Sequence, residues 1–264
     1  MCLILFSWQQ DSERPLIVTA NRDEFYHRET SALTLWPNSP VVAGRDLQAG
    51  GTWMGITTSG RFAAVTNYRR PADMTQTFPL SRGQLCQDFL QQDWSVKAFL
   101  EQLSSSAMDA GGFNLLVSDG EQLGYASNRF QDQRGYDHYR YNSQLEPGIY
   151  GLSNHLLDTP WPKVTQGKQA LAEKLHDNAN EDELLSILEN TLVADDNLLP
   201  DTGIGLERER FLAPRFIASS TEYGTRASSL LIRYRSGAQS FIEQSWQQNG
   251  TQAVRTYWHQ GSLY

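Results

Sequence analysis

The sequence predicts an α+β protein made of antiparallel sheets with helix pairs packed outside them. Three observations carry this reading. Strand-like segments outnumber helical ones, short polar turns join most of the strands into hairpins, and the helical segments arrive in pairs. A strictly alternating strand–helix order would signal a parallel sheet, and that order is absent, so the pattern fits a layered α+β sandwich.

The elements follow in order. Residues 2–8 are apolar or aromatic and end in a polar turn, which predicts a buried strand. Residues 15–20 repeat the pattern after a short polar connection, so the two form a hairpin, and the polar cluster Asn21-Arg22-Asp23-Glu24 stands at the end of the second strand. Residues 52–58 and 62–68 make a second hairpin around Ser59-Gly60-Arg61. Ser81-Arg82-Gly83-Gln84 resembles a capping box ahead of Leu85, Phe89 and Leu90, and Ser95 caps a helix whose stripe is Val96, Phe99, Leu100 and Leu103. Residues 112–118 and 122–126 form a third hairpin at Asp119-Gly120, and residues 149–153 add a short strand. Trp161-Pro162 opens a helix with Val164, Leu171 and Leu175 on one face. Asn180 caps the next, with Glu181, Asp182 and Glu183 favouring its positive end and Leu184, Leu185, Ile187, Leu188 and Leu192 following. Residues 194–210 are the longest irregular stretch. A three-stranded meander over 228–234, 239–247 and 253–258 closes the chain, turning at Ser236-Gly237 and Asn249-Gly250. No repeat and no shift of composition divides residues 1–264, which predicts a single domain.

Composition narrows the function classes. The chain has 264 residues, 39% of them hydrophobic and 11% aromatic, enough for a substantial core. A net charge of -8 with scattered Lys and Arg argues against a nucleic-acid partner, which needs clustered positive charge. Two cysteines are too few for a disulfide framework. The apolar start lacks a basic leader and no run of about 18 apolar residues follows, so the expectation is a cytoplasmic protein without a membrane span. His-Glu-x-x-His, Cys-x-x-Cys and phosphate-loop patterns are missing, and the five histidines show no metal-ligand spacing, so neither a metal nor a cofactor is expected.

The chemistry concentrates at Cys2. If Met1 is trimmed, Cys2 carries both a free α-amine, with a pKa of about 7.7–8.0, and a thiol near 8.5. An amine poised there can serve as the base for its own side chain. The alternative is a small hydrophobe opening a buried strand. The Asn21–Glu24 cluster can approach Cys2 through the hairpin, or it is a charged turn. Asn67 and Asn154 follow strand segments, where an Asn can donate to an oxyanion or simply make a turn. Arg226 can lower a thiol pKa or bind an anion, or it is a surface charge.

The combination is more specific than its parts. Cys2, Asn21-Arg22-Asp23-Glu24, Gly50-Gly51-Thr52-Trp53, Thr66-Asn67-Tyr68-Arg69, Gly151-Leu152-Ser153-Asn154, Leu199-Pro200-Asp201-Thr202-Gly203 and Tyr223-Gly224-Thr225-Arg226 follow one another in order. Over essentially the whole chain this resembles the NRDE domain of the Transport and Golgi Organisation protein 2 family. That family in turn resembles the N-terminal-nucleophile hydrolases of the choloylglycine and penicillin V acylase kind. The resemblance implies a four-layer αββα sandwich and a cysteine nucleophile exposed by loss of Met1, which matches Cys2. It assigns the amine-orienting role to Asp23, oxyanion donation to Asn67 and Asn154, and the late arginine to Arg226. Asn21, Arg22, Glu24, Trp53 and Tyr68 become substrate-binding residues. Ala20 stands where the acylases carry an arginine, with Arg22 close by. The implied function is hydrolysis or acyl transfer at an amide or thioester carbonyl. The alternative, also implied by the family, is a non-enzymatic protein of haem trafficking or of acyl-coenzyme A and lipid binding, with haem a bound ligand near His27 or His155.

Overall fold

Residues 2–73 and 75–260 are described by a computed structural model of the chain. In chain order the strands are β1 (Cys2–Trp8), β2 (Leu16–Phe25), β3 (Thr30–Leu35), β4 (Val41–Asp46), β5 (Met54–Thr57), β6 (Phe62–Asn67), β7 (Phe113–Ser118), β8 (Leu123–Gln131), β9 (Asp137–Asn142), β10 (Gly148–Leu152), β11 (Tyr223–Arg233), β12 (Gln239–Trp246) and β13 (Gln252–Gln260). The α-helices are α1 (Arg82–Gln91), α2 (Val96–Leu103), α3 (Pro162–His176), α4 (Glu181–Ser186) and α5 (Leu206–Phe211). All strand pairs are antiparallel, in two sheets ordered β10-β1-β2-β11-β12-β13 and β3-β4-β5-β6-β7-β8-β9. The α+β architecture is therefore as the pattern predicts.

The chain divides into two compact units, each built around one sheet. In the first, residues up to Arg28, Pro147–Ser153 and Leu157 onward form the six-stranded sheet with α3, α4 and α5. Leu3, Leu5, Ile17, Leu230, Ile232 and Ile242 project from one sheet face onto Trp161, Val164 and Leu171 of the α3 region and Leu184, Leu185 and Leu188 after it. A Cβ at Gly167 would lie 2.7 Å from Leu5 Cδ1, so glycine lets α3 settle directly on β1. Ile4, Phe6, Trp8, Val18 and Leu231, which alternate with them, are buried as well. A strand buried on both faces needs a near-continuous apolar run, and that is why residues 2–8 lack the hydrophobic–polar alternation of a half-exposed strand. In the second unit, α1 and α2 cover one face of the seven-stranded sheet, with Leu85, Cys86, Phe89, Leu90, Val96, Phe99 and Leu100 packed on Val41, Ala43, Ala63, Val65, Leu115 and Val117.

Several local expectations change. The helix at Arg82 has Ser81 at its N-cap without a side-chain bond; the Gln84 N–H goes to the Ser81 carbonyl, and Gln84 Nε2 donates to Asp88 one turn on. Ser95 does cap α2, accepting from the Ala98 N–H. Asn180 forms a full capping box with Glu183. The helix it starts ends in a 3₁₀ turn at Ile187–Glu189, and Leu192, expected on its apolar face, is exposed. The irregular stretch carries a 3₁₀ turn at Asp196–Leu198 and α5. It is pinned by Arg210 on Asp196, and by the buried Glu209, which accepts from the backbone N–H and the hydroxyl of Thr202.

Candidate active site

Pairing between β1 and β2 sets Cys2 directly across from Arg22 and Leu3 across from Asn21. Side chains alternate along a strand, so Cys2 and Arg22 project from one face, while Asn21 and Asp23 share the face that carries α3 and α4. The Asn21–Glu24 cluster is thus inside β2 and is not the charged turn of the alternative reading, and Asn21, Arg22 and Asp23 are all buried. Burying this much polarity requires partners for it. Asn21 donates to the carbonyls of Leu188 and Arg215 and accepts from the Ser228 hydroxyl. Asp23 Oδ1 accepts from Thr225 Oγ1 at 2.7 Å, and the Asp23 carbonyl accepts from the Tyr223 hydroxyl at 2.9 Å. Glu24 lies 3.8 Å from Arg22 and 4.0 Å from Arg28. The Cys2 carbonyl is held by the Ser153 hydroxyl at 3.0 Å.

Cys2 retains some exposure as a residue, yet its thiol has the surroundings of a buried group. Burial pushes that thiol up, the charges of Asp23 and Glu24 push the same way, and Arg22 opposes them. Burial also pushes the Asp23 carboxyl above the usual carboxylate range, against the pull of Lys163, Thr225 and Arg22. The thiol is therefore held as a thiol until a base takes its proton. Removal of Met1, on which the amine-as-base expectation depends, concerns a residue outside the described ones.

Arg226 follows Thr225 in β11, at an irregularity of the pairing with β2. The β2–β11 register shifts between Thr225 and Ala227, so Arg226 is the extra residue of a β-bulge. Its Nη1 donates to the carbonyls of Phe25, Tyr26 and Arg28, and its guanidinium lies 5.6 Å from the Tyr26 ring centroid. Arg22, paired across from Cys2, favours the charged form of its thiol.

Residues 1–248 match the family model described as Transport and Golgi organisation 2. The chain belongs to that family. It is 34% identical to the Transport and Golgi organization protein 2 homolog of Bos taurus, over 93% of each chain. It is 31% identical to the Transport and Golgi organization 2 homolog of Mus musculus, over 100% of this chain and 99% of the relative. Among solved structures, a Caenorhabditis elegans N-acylethanolamine-hydrolyzing acid amidase ortholog superposes with a TM-score of 0.53, covering 88% of this chain and 92% of that one at 9% identity. At that identity the likeness concerns the fold alone.

The other residues that the family resemblance singles out lie in the second unit. Asn67 ends β6, and Asn154 is fully buried. Asn154 Nδ2 donates to the Asn67 carbonyl at 3.0 Å and its own carbonyl accepts from the Arg69 N–H at 2.7 Å, so the two segments are clamped together. The Asn67 side-chain amide bonds to none of the described residues. Tyr68 and His155 pair at 2.7 Å between the phenol and Nε2. Burial raises the Tyr68 phenol and lowers the His155 imidazole. Trp53 lies against Gly44 of β4, where any side chain would overlap its ring. Among the described residues no group of His, Cys, Asp or Glu is arranged to hold a metal ion, and none of the helices is long and apolar enough to cross a membrane. Residue-type reasoning passes over Thr225, Lys163 and Ser153 as site residues. The one signal for Thr225 is its place between Gly224 and Arg226 in a segment already singled out.

Proposed function

We propose that this protein is a cysteine-nucleophile hydrolase or acyl transferase acting on an amide or thioester carbonyl, with Cys2 as nucleophile. The observation that carries the proposal is the grouping at one end of β1 and β2: a free cysteine paired with Arg22 on one sheet face and, on the other face at the next position of β2, a buried Asp23 carboxylate oriented by the Thr225 hydroxyl. A buried, oriented carboxylate whose charge acts on a thiol is the environment in which functional sites shift pKa values. A fold shared with an N-acylethanolamine-hydrolyzing amidase agrees with this reading.

In the proposed reaction, loss of Met1 gives Cys2 the free α-amine. The amine takes the thiol proton as sulfur attacks the carbonyl carbon, and the negative charge passes to the carbonyl oxygen. Asp23 holds the resulting ammonium. Collapse breaks the bond to the leaving nitrogen or sulfur, which takes the proton back from the ammonium. Water, deprotonated by the same amine, then releases the acid and restores the thiol, or an acceptor amine or thiol takes the acyl group instead. The resemblance assigns the oxyanion to Asn67 and Asn154, and an oxyanion donor is worth about 2.7–4 kcal/mol of barrier.

The test uses the purified full chain in the cytoplasmic setting we propose for it. Intact mass reports whether Met1 is gone. An acyl-coenzyme A thioester and an N-acyl amide of the same chain length are then offered, and acid release and an acyl adduct on Cys2 are measured. Cys2→Ala is expected to abolish both. Turnover unchanged in Cys2→Ala defeats the proposal. Absence of turnover with retained acyl-coenzyme A, or with a Soret shift on adding haem, replaces it by a binding role on the same fold.

A further inference from the structure

The segment Tyr223–Arg226 draws notice for its arginine, but the arginine is spent on backbone carbonyls. We propose that the working residue of the segment is Thr225, a positioning residue that holds the Asp23 carboxylate in one orientation and in its anionic form, with the buried ammonium of Lys163 as its second support. This deepens the reading of Cys2 and Asp23 as reacting partners and rests on it.

Thr225 is fully buried. Its Oγ1 accepts from the Ile217 N–H at 2.9 Å and sits 2.7 Å from Asp23 Oδ1. A hydroxyl has a single proton, and with a lone pair occupied by the Ile217 N–H that proton goes to the carboxylate. The Thr225 N–H donates to the Ile217 carbonyl at 3.0 Å, so backbone and hydroxyl are both bolted to the same neighbouring residue. The β-branched side chain adds a stiff χ1 to this arrangement. The Arg226 bulge follows at once, which lets β11 carry Thr225 opposite Asp23 and still place Ala227 opposite Arg22. A donor fixed on a carboxylate favours its charged form.

Lys163 stands in the first turn of α3, on the sheet face from which Asp23 projects. It is 5% exposed, and its Nζ donates to the Leu212 carbonyl at 2.9 Å. An ammonium kept from water at that place supplies positive charge to Asp23. The charged and titratable side chains that act on or feel Asp23 are Lys163 from α3, Arg22 from β2, Cys2 from β1, and Tyr26 after β2. Burial opposes the anion, and among the described residues Thr225 and Lys163 on the Asp23 face favour it.

The experiment follows the Asp23 carboxyl directly, by carbon-13 NMR of aspartate-labelled protein, with the resonance assigned by its loss in Asp23→Asn. In Thr225→Val the Asp23 midpoint is expected to move up by about one pH unit, the size of a lost hydrogen bond to a charged group. Thr225→Ser is expected to restore it, and Lys163→Met to raise it too. A midpoint that stays put in Thr225→Val overturns the proposal, as does a Thr225→Ser that shifts as far as Val. Should Val prevent folding, Thr225→Ala reads the same midpoint. The titration needs no turnover, so its failure is separable from that of the hydrolase reading. If turnover is found with the thioester, Thr225→Val is expected to lower kcat about tenfold with KM little changed.

Discussion

Asp23 is ionisable, almost wholly buried, and held above the ordinary carboxylate range by burial in spite of Lys163, Thr225 and Arg22. The sign of its effect on stability follows. A group with a raised folded pKa gives stability that is fully present below the unfolded pKa of about 3.9 and is lost as pH rises through the folded value. At neutral pH, then, the raised pKa of Asp23 weakens the fold. Asp23→Asn keeps the shape and an oxygen to accept from Thr225, and removes the charge. It is expected to raise the thermal midpoint at pH 7, by about 2–4 °C for each kcal/mol gained, and to give no gain at pH 3. The same variant is expected to lose Cys2-dependent turnover, a trade of stability for activity. A lower midpoint at pH 7 would show that the carboxylate belongs to the stabilising frame. At this scale the sequence displays Cys2 and Asp23 because their residue types carry chemistry. Thr225 and Lys163 are ordinary residue types whose role exists only once β11 and α3 are laid against β2.

Elements were legible where burial and turn chemistry agree. The run at residues 2–8 and the turns at Ser59-Gly60 and Ser236-Gly237 predict β1, the β5–β6 hairpin and the β11–β12 hairpin, and all three form. The strands β3 and β9 escape notice because they are edge strands with few buried apolar residues, so their sequences lack a hydrophobic period. The strand β4 ends in Gly44-Arg45-Asp46, and its glycine is there for the Trp53 ring. The second and eleventh strands run further than predicted because their polar ends are buried and paired, which in a sequence looks like a turn. This bears on Arg226. A bulge re-aims one side chain, and here the guanidinium gathers three carbonyls beyond the end of β2. Arg226→Met is expected to lower the thermal midpoint by several degrees, since bonds to a charged donor are worth about 1.5–3 kcal/mol each. It should leave the pH profile of Cys2 alkylation by iodoacetamide in place. Arg22→Met is expected to move that profile to higher pH, because a cation beside the thiol is lost. Cys86 is buried in α1 with its thiol pushed far up, so it serves as an unreactive internal control. An Arg226→Met profile displaced as far as that of Arg22→Met would return the thiol-tuning role to Arg226.

At the scale of the whole chain, the feature no local pattern reveals is strand order. β10 joins β1 across nearly the length of the second unit's sequence, and β11 returns to β2 after the helices, so each unit is discontinuous in sequence. The family match ends at residue 248, and β13 begins at Gln252. This strand occupies the edge beyond β12. Its own exposed residues include Gln252, Val254 and Tyr257, and Arg255 reaches back to Asp182 of α4 at 2.5 Å. The strand beneath is of another kind, with Phe241 and Ile242 buried along with Ser240, Glu243 and Gln244. Taking β13 away would leave β12 as an edge with a row of unpaired N–H and C=O groups and a buried apolar pair beside them, the template on which strands of other chains add. A chain ending at Gly250 is therefore expected to keep the rest of its fold, to melt at lower temperature, and to self-associate as concentration rises. Size-exclusion chromatography with light scattering, run over a hundredfold range of protein concentration beside the full chain, measures this. A truncated chain with the mass, concentration dependence and thermal midpoint of the full one would mean that β12 is protected by its own buried polar residues and that β13 guards nothing.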